Sequence, residues 1–90
     1  MRIEHALARR GATIEKRGLD MARAAEVFAG RHIIFEDIRF HYGEKRFLTF
    51  GLLDDRLIVL AWTPRGTATR IISMRKANER EERRYRRRLG

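Results

Sequence analysis

The chain has 90 residues, of which 43% are hydrophobic, and a formal net charge of +9, so we expect one domain spanning residues 1–90 and an anionic partner. It has no cysteine and only three scattered histidines, which excludes disulfides and thiolate metal sites, and we expect neither a metal nor another cofactor. No apolar run approaches the roughly 18 residues that cross a bilayer, and the charged N-terminus is unlike a signal peptide, which favours a cytoplasmic protein without membrane contact.

Two helices are predicted in the N-terminal third. The segment HALARRGATIEKRG, His5 to Gly18, carries Leu7 and Ile14 on one helical face and ends at a glycine. The segment LDMARAAEVFAG follows, with Asp20 as N-cap and Gly30 as the end. Its apolar residues have helical spacing: Met21, Ala24, Ala25 and Phe28. We therefore expect two short helices before the first strand.

Four strands and a final helix follow. The segments RHIIFEDI, RFLTFGLL, RLIVLAWT and ATRIISMR are rich in β-branched, aromatic and leucine residues. The connections HYGEK, DD and PRG are too short for parallel crossovers, so the strands form an antiparallel meander. The last segment, KANEREERRYRRRL, favours a helix. The sequence thus predicts an α+β fold with two N-terminal helices, a four-stranded antiparallel sheet and a C-terminal helix, the helices covering one sheet face.

Arginines interrupt the last predicted strand. Strict alternation places Ser73 and Arg75 on one face of the sheet and Arg70 and Met74 on the other. An arginine within an apolar strand must be exposed, paired or used for binding. Because guanidinium groups hold phosphate oxygens bidentately, we favour use for Arg70.

Four motifs occur in order between Val27 and Tyr85. They are EDIRFHYGEKRF at Glu36 to Phe47, GLLD at Gly51 to Asp54, TPRG at Thr63 to Gly66, and RIISMRKA at Arg70 to Ala77. In this combination the chain resembles the BrnT toxins of type II toxin–antitoxin systems. The resemblance covers about two thirds of the chain strongly and the N-terminal third weakly.

The resemblance implies a fold similar to the RelE/ParE superfamily and a metal-independent endoribonuclease that inhibits translation and growth. It implies neutralisation by a ribbon-helix-helix antitoxin similar to BrnA. It also implies contact with promoter DNA only through the toxin–antitoxin complex.

The N-terminal segment departs from the family pattern. Where the family has tryptophan, lysine, asparagine and histidine, this chain has His5, Arg9, Thr13 and Arg17. A second hypothesis is therefore a catalytically weakened or inactive basic module that holds nucleic acid or an antitoxin without cleavage.

Metal-free RNA cleavage defines which residue types are needed. The neighbouring 2'-hydroxyl attacks the phosphate, so a base, an acid and cations that stabilise the phosphate charge are required. Arginine stays protonated and can only hold phosphate, the role predicted for Arg46, Arg70 and Arg75. The candidates for proton transfer are His41, Glu44 and Tyr85, with His5 as a further candidate.

Each proton-transfer candidate also has a structural interpretation. The ring of Tyr85 could pack against the sheet, His41 could be a solvated loop residue, and Glu44 could pair with Arg46 or Arg70. The remaining basic residues are predicted to bind RNA phosphates or an acidic antitoxin surface: Arg9, Arg17, Lys76, Arg83, Arg84 and Arg87. Within the last helix, Glu79 and Arg83 have the i, i+4 spacing of a stabilising pair.

Overall fold

The computed structural model describes residues 1–5 and 18–89, and all structural statements concern these ranges. The N-terminal elements are β1 (Arg2–Glu4), a 3₁₀ turn (Met21–Arg23) and α1 (Ala24–Ala29). The strands β2 (His32–Glu36), β3 (Phe47–Leu53), β4 (Arg56–Arg65) and β5 (Ala68–Lys76) follow, and α2 (Glu79–Leu89) ends the described chain. No helix in these ranges is both long enough and apolar enough to cross a membrane.

The sheet has five strands in the order β1-β5-β4-β3-β2. Strands β2 to β5 form the predicted antiparallel meander. The prediction of a four-stranded, wholly antiparallel sheet is wrong, because β1 adds to the free edge of β5 in parallel, with Ile3 opposite Thr69. Three residues are too few to show a strand period, and the partner of β1 lies more than 60 residues away in sequence.

The prediction of two N-terminal helices is also wrong. The chain starts as a strand, and in the described ranges one short helix, α1, precedes the meander. The first predicted helix, His5 to Gly18, falls mainly on residues 6–17, which lie outside the described ranges. The second helix begins where predicted, since the Asp20 carboxylate accepts a hydrogen bond from the Ala22 backbone N–H at 2.9 Å.

The two described helices lie on opposite faces of the sheet, which corrects the expectation that the helices cover one face. Alternate side chains of the central strands serve the two faces, so adjacent Leu57 and Ile58 belong to different clusters. The α1-side cluster comprises Leu19, Met21, Ala24, Val27, Leu53, Ile58, Leu60, Ile71 and Met74. The α2-side cluster comprises Phe50, Leu57, Val59 and Leu89.

An irregularity in the β4–β5 pairing corrects the predicted orientation of the arginines. Ala61 lies opposite Ser73 and Trp62 lies opposite Ile71, so Ile72 has no partner on β4. Arg70 and Arg75 lie opposite Thr63 and Val59, which both point to the α2 side of the sheet. The one-residue bulge therefore places both arginines on the same face.

Candidate functional site

A polar cleft lies where the start of β3, the end of β4 and the start of β5 meet. Its volume is about 300 Å³, and we call it the arginine cleft. Its charged lining residues come from three neighbouring segments: Glu44 and Arg46, Arg65, and Arg70. Thr63, Ile71 and Ile72 complete the lining. Three arginines and one residue with a carboxylate thus line the described part of this cleft.

The arginines of this cleft are only partly neutralised. Arg46 Nε is 3.1 Å from Glu44 Oε2, and both side chains are about one third exposed. Arg65 and Arg70 form no ion pair with any described residue, and Arg70 is half-buried on the sheet face. A cleft with this charge attracts an anion, and guanidinium geometry suits a phosphate.

The loop of residues 37–46 is held in place by its own hydrogen bonds. The Asp37 backbone N–H donates to Arg46 O at 2.7 Å, which closes the base of the loop. The Thr63 hydroxyl donates to Lys45 O at 2.7 Å, which ties the loop to β4. Glu44 and Arg46 are therefore fixed relative to the sheet by backbone contacts.

Asp37 organises the interior of this loop. Its side chain is only 5% exposed and accepts hydrogen bonds from Arg39 Nε and Nη2 at 2.8 and 2.9 Å and from the Tyr42 hydroxyl at 2.9 Å. The Arg39 guanidinium, helped by the Tyr42 hydroxyl, holds the pKa of Asp37 well below its usual range. The Tyr42 ring in turn lies 4.2 Å from the Arg46 guanidinium carbon. Asp37 and Tyr42 thus position Arg46.

A second cleft of about 490 Å³ opens within the loop, and we call it the loop cleft. It shares Glu44 and Arg46 with the arginine cleft and is further lined by Phe40, His41 and Tyr42, among others. The structure therefore brings four of the six predicted catalytic residues, His41, Glu44, Arg46 and Arg70, around two adjoining clefts.

Arg75 and Tyr85 lie outside both clefts. The guanidinium of Arg75 donates to both Glu81 carboxylate oxygens, at 2.7 and 2.9 Å. Glu81 also accepts from the Asn78 backbone N–H, while the Asn78 side chain accepts from the Glu81 N–H, so the pair forms a capping box at the start of α2. The Tyr85 ring centroid is 4.4 Å from that of Phe50. Both residues thus have structural contacts.

The outer face of α2 is strongly basic. Glu81 and Glu82 turn inward to pair with Arg75 and Arg86, whereas Glu79 and Arg83 form no ion pair in the described structure. The exposed arginines of α2 include three of the predicted RNA-binding residues and two others: Arg83, Arg84, Arg87, Arg80 and Arg88. Lys76, also predicted to bind RNA, is exposed at the end of β5. Predicted residues Arg9 and Arg17 lie outside the described ranges.

His5 is the one residue described by the structure among the N-terminal positions predicted to depart from the family pattern. It is half-buried, and its Nδ1 atom has no hydrogen-bond partner among the described residues. Nor do these residues include a group of three His, Asp or Glu side chains placed to hold a metal ion.

Sequence reasoning missed Arg65, Asp37 and Tyr42 as site residues. Arg65 lies in the TPRG motif, which supported the family resemblance but to which no binding role was assigned. Asp37 and Tyr42 belong to the EDIRFHYGEKRF motif, but their mutual hydrogen bond depends on loop geometry that spacing does not reveal.

The comparison with family models confirms the resemblance. A model described as the ribonuclease toxin BrnT of a type II toxin–antitoxin system matches residues 7–81. No curated protein matches the chain. The matched range includes both clefts and the first residues of α2. The chain therefore belongs to the BrnT family, the ribonuclease toxins of type II toxin–antitoxin systems.

Proposed function

We propose that this chain is an endoribonuclease that cuts RNA without a metal ion and thereby inhibits translation and growth. The observation that supports this most directly is the arginine cleft, which Arg46, Arg65 and Arg70 line together with Glu44. Positioned guanidinium groups can stabilise the charge that develops on a phosphate during transfer, a role that a metal ion fills in other nucleases.

The cleavage step needs one proton acceptor and one proton donor. The ribose 2'-oxygen attacks the adjacent phosphorus and the bond to the 5'-oxygen breaks, giving a 2',3'-cyclic phosphate and a 5'-hydroxyl. Glu44 accepts the 2'-hydroxyl proton, since it is the one carboxylate among the described residues that line the arginine cleft. His41, which lines the adjoining loop cleft, donates a proton to the leaving 5'-oxygen.

Phosphate binding makes the Glu44 carboxylate available. In the free protein Glu44 Oε2 accepts a hydrogen bond from Arg46 Nε. A bound phosphate competes for the Arg46 guanidinium, so this carboxylate oxygen can contact the 2'-hydroxyl instead. His41 and Glu44 are thus proposed as the proton-transfer pair, and Arg46, Arg65 and Arg70 as the phosphate clamp.

The remaining predicted site residues receive other roles in this proposal. Arg75 holds Glu81 at the start of α2, and the Tyr85 ring packs on Phe50. The exposed cations of α2 bind RNA phosphates that flank the scissile one, and this contribution weakens with increasing salt. These α2 cations include Arg83, Arg84 and Arg87, and we propose the same role for Lys76 at the end of β5.

The antitoxin is proposed to be a ribbon-helix-helix protein similar to BrnA. Support comes from the family, whose toxins are paired with an antitoxin, and from the net charge of +9, which favours an acidic partner. Promoter DNA is then contacted only through the complex. Co-purification with the protein of the neighbouring reading frame, followed by loss of ribonuclease activity in the complex, tests this part.

Cleavage of a labelled single-stranded RNA in EDTA tests the activity. We expect the wild-type chain to release products with cyclic phosphate ends and Arg70→Ala to be at least tenfold slower, because a clamp contact to charge is lost. Arg31→Ala is the matched control, since it removes one exposed arginine before β2, outside both clefts. Activity that EDTA abolishes and magnesium restores contradicts the metal-free mechanism.

A binding module without catalysis is the second candidate. Its support is the change at four N-terminal family positions, His5, Arg9, Thr13 and Arg17. It predicts that RNA is retarded on a gel by the wild-type chain and less by Arg70→Ala, with no cleavage by either.

A further inference from the structure

We propose that the loop cleft is a subsite for one unstacked nucleobase of the RNA, with the Phe40 ring as its stacking platform. This inference rests on the proposed function, because it takes the arginine cleft as the phosphate site. It adds a recognition element that neither the phosphate clamp nor the proton-transfer pair supplies.

The exposure of Phe40 is the first observation. Phe40 is 68% exposed, although its loop is closed at the base by a backbone hydrogen bond and tied to β4 by the Thr63 hydroxyl. The Tyr42 ring meets the Phe40 ring edge-on, with 5.8 Å between ring centroids and 74° between ring planes. The Tyr42 hydroxyl donates a hydrogen bond to Asp37, and the Arg46 guanidinium packs on the face of the Tyr42 ring. Phe40 is therefore a supported aromatic ring whose surface remains largely in solvent.

The position of the loop cleft is the second observation. Glu44 and Arg46 line both clefts, so the two spaces adjoin. In a nucleotide only the sugar separates the base from its phosphate. A phosphate bound by Arg46 and Arg70 therefore places a neighbouring base at the loop cleft, whose volume of about 490 Å³ accommodates it.

The lining of the loop cleft also suits a base. Aromatic stacking on a base face combines with hydrogen bonds to the base edge in sites that bind single-stranded RNA. Here Glu36 and Lys45 supply polar atoms beside Phe40 and Tyr42. A base in a duplex cannot reach such a platform, so the subsite selects single-stranded RNA.

Binding of two uncleavable oligonucleotides tests the subsite. The first is a short 2'-O-methyl RNA, and the second has the same length and sugar–phosphate backbone but no bases; dissociation constants are measured by fluorescence anisotropy. We expect Phe40→Ala to weaken binding of the first by roughly tenfold and to leave binding of the second unchanged. Phe40→Trp retains binding of both, because its ring still stacks. Ile34→Ala, which removes an exposed apolar side chain outside both clefts, has little effect on either.

The outcomes separate the subsite from the phosphate clamp. Arg70→Ala is expected to weaken binding of both oligonucleotides, since it removes a phosphate contact. If Phe40→Ala weakens both equally, or neither, the base subsite is refuted while the clamp stands. If Arg70→Ala changes neither, the clamp itself is wrong. Loss of antitoxin binding by Phe40→Ala with unchanged RNA binding assigns the ring to the protein partner and also refutes the subsite.

Discussion

Replacing Gly51 with alanine should destabilise the fold, because α1 packs directly against the backbone of β3. An added Cβ would lie 2.6 Å from Cγ1 of Val27 and 3.4 Å from its carbonyl oxygen, against about 3.5–4.0 Å for favourable carbon contacts. Val27 is fully buried and β-branched within a helix, so its side chain has little freedom to rotate away. We expect a loss of about 1–3 kcal/mol in the free energy of unfolding, the range for an overpacked core.

Urea denaturation of four variants checks this reasoning. Gly30→Ala is the control, because its added Cβ comes no closer than 3.9 Å to its nearest neighbour and its backbone is extended; the change should stay within about 0.5 kcal/mol. Val27→Ala should cost about 2 kcal/mol alone, through lost burial and a cavity. Combined with Gly51→Ala it should cost at least about 1 kcal/mol less than the sum, because the new methyl group enters the vacated space. If the two energetic costs add strictly, or if Gly51→Ala leaves the free energy of unfolding unchanged, α1 does not approach β3 this closely.

Three further predictions concern residues beside the site. Tyr85→Phe should retain cleavage within about twofold, because the ring carries the contact with Phe50; a tenfold loss in single-turnover rate at unchanged stability would assign the hydroxyl to catalysis. Arg75→Ala should cost about 1–2 kcal/mol in urea unfolding, since its partner Glu81 is only 17% exposed. Arg86→Ala breaks a more exposed pair and should cost less. Arg39 lowers the pKa of Asp37. The stabilisation from the ionised Asp37 carboxylate should therefore be present above about pH 4 and decline as the pH falls below it. Asp37→Asn should lose this decline when urea unfolding is measured at acid pH; an unchanged slope of unfolding free energy against pH would contradict the prediction.

The meander was predictable because its signals are local. Each strand is a run of β-branched, aromatic and leucine residues, and each connection is too short for anything except a hairpin. At the turn DD, Asp54 and Asp55 both have positive φ, as a two-residue hairpin requires. The N-cap at Asp20 is likewise a local feature that composition reveals.

The assignment of helices to sheet faces was not predictable in the same way. The sequence of β4, RLIVLAWTPR, is apolar on consecutive positions, which indicates burial on both faces. Such a run requires a cover on each side, and α1 and α2 supply one cover each. Which helix lies on which side depends on the path of the connections, and the spacing of apolar residues in the sequence does not predict that path.

The candidate site was predicted in its residue types but not in its arrangement, and the bulge at Ile72 explains the difference. A one-residue change in register moves every later side chain to the other face of a sheet. Ile71 and Met74 both reach the α1-side core although they are three positions apart, an odd spacing that strict alternation does not allow. Without it, Arg70 would point toward α1, away from Arg75 and into the apolar cluster. With it, Arg70 emerges on the face opposite that core and lines the cleft with Arg46. Because Ile72 is unpaired, β5 can place Ile71 and Met74 in the core and Arg70 in the proposed phosphate clamp on the opposite face.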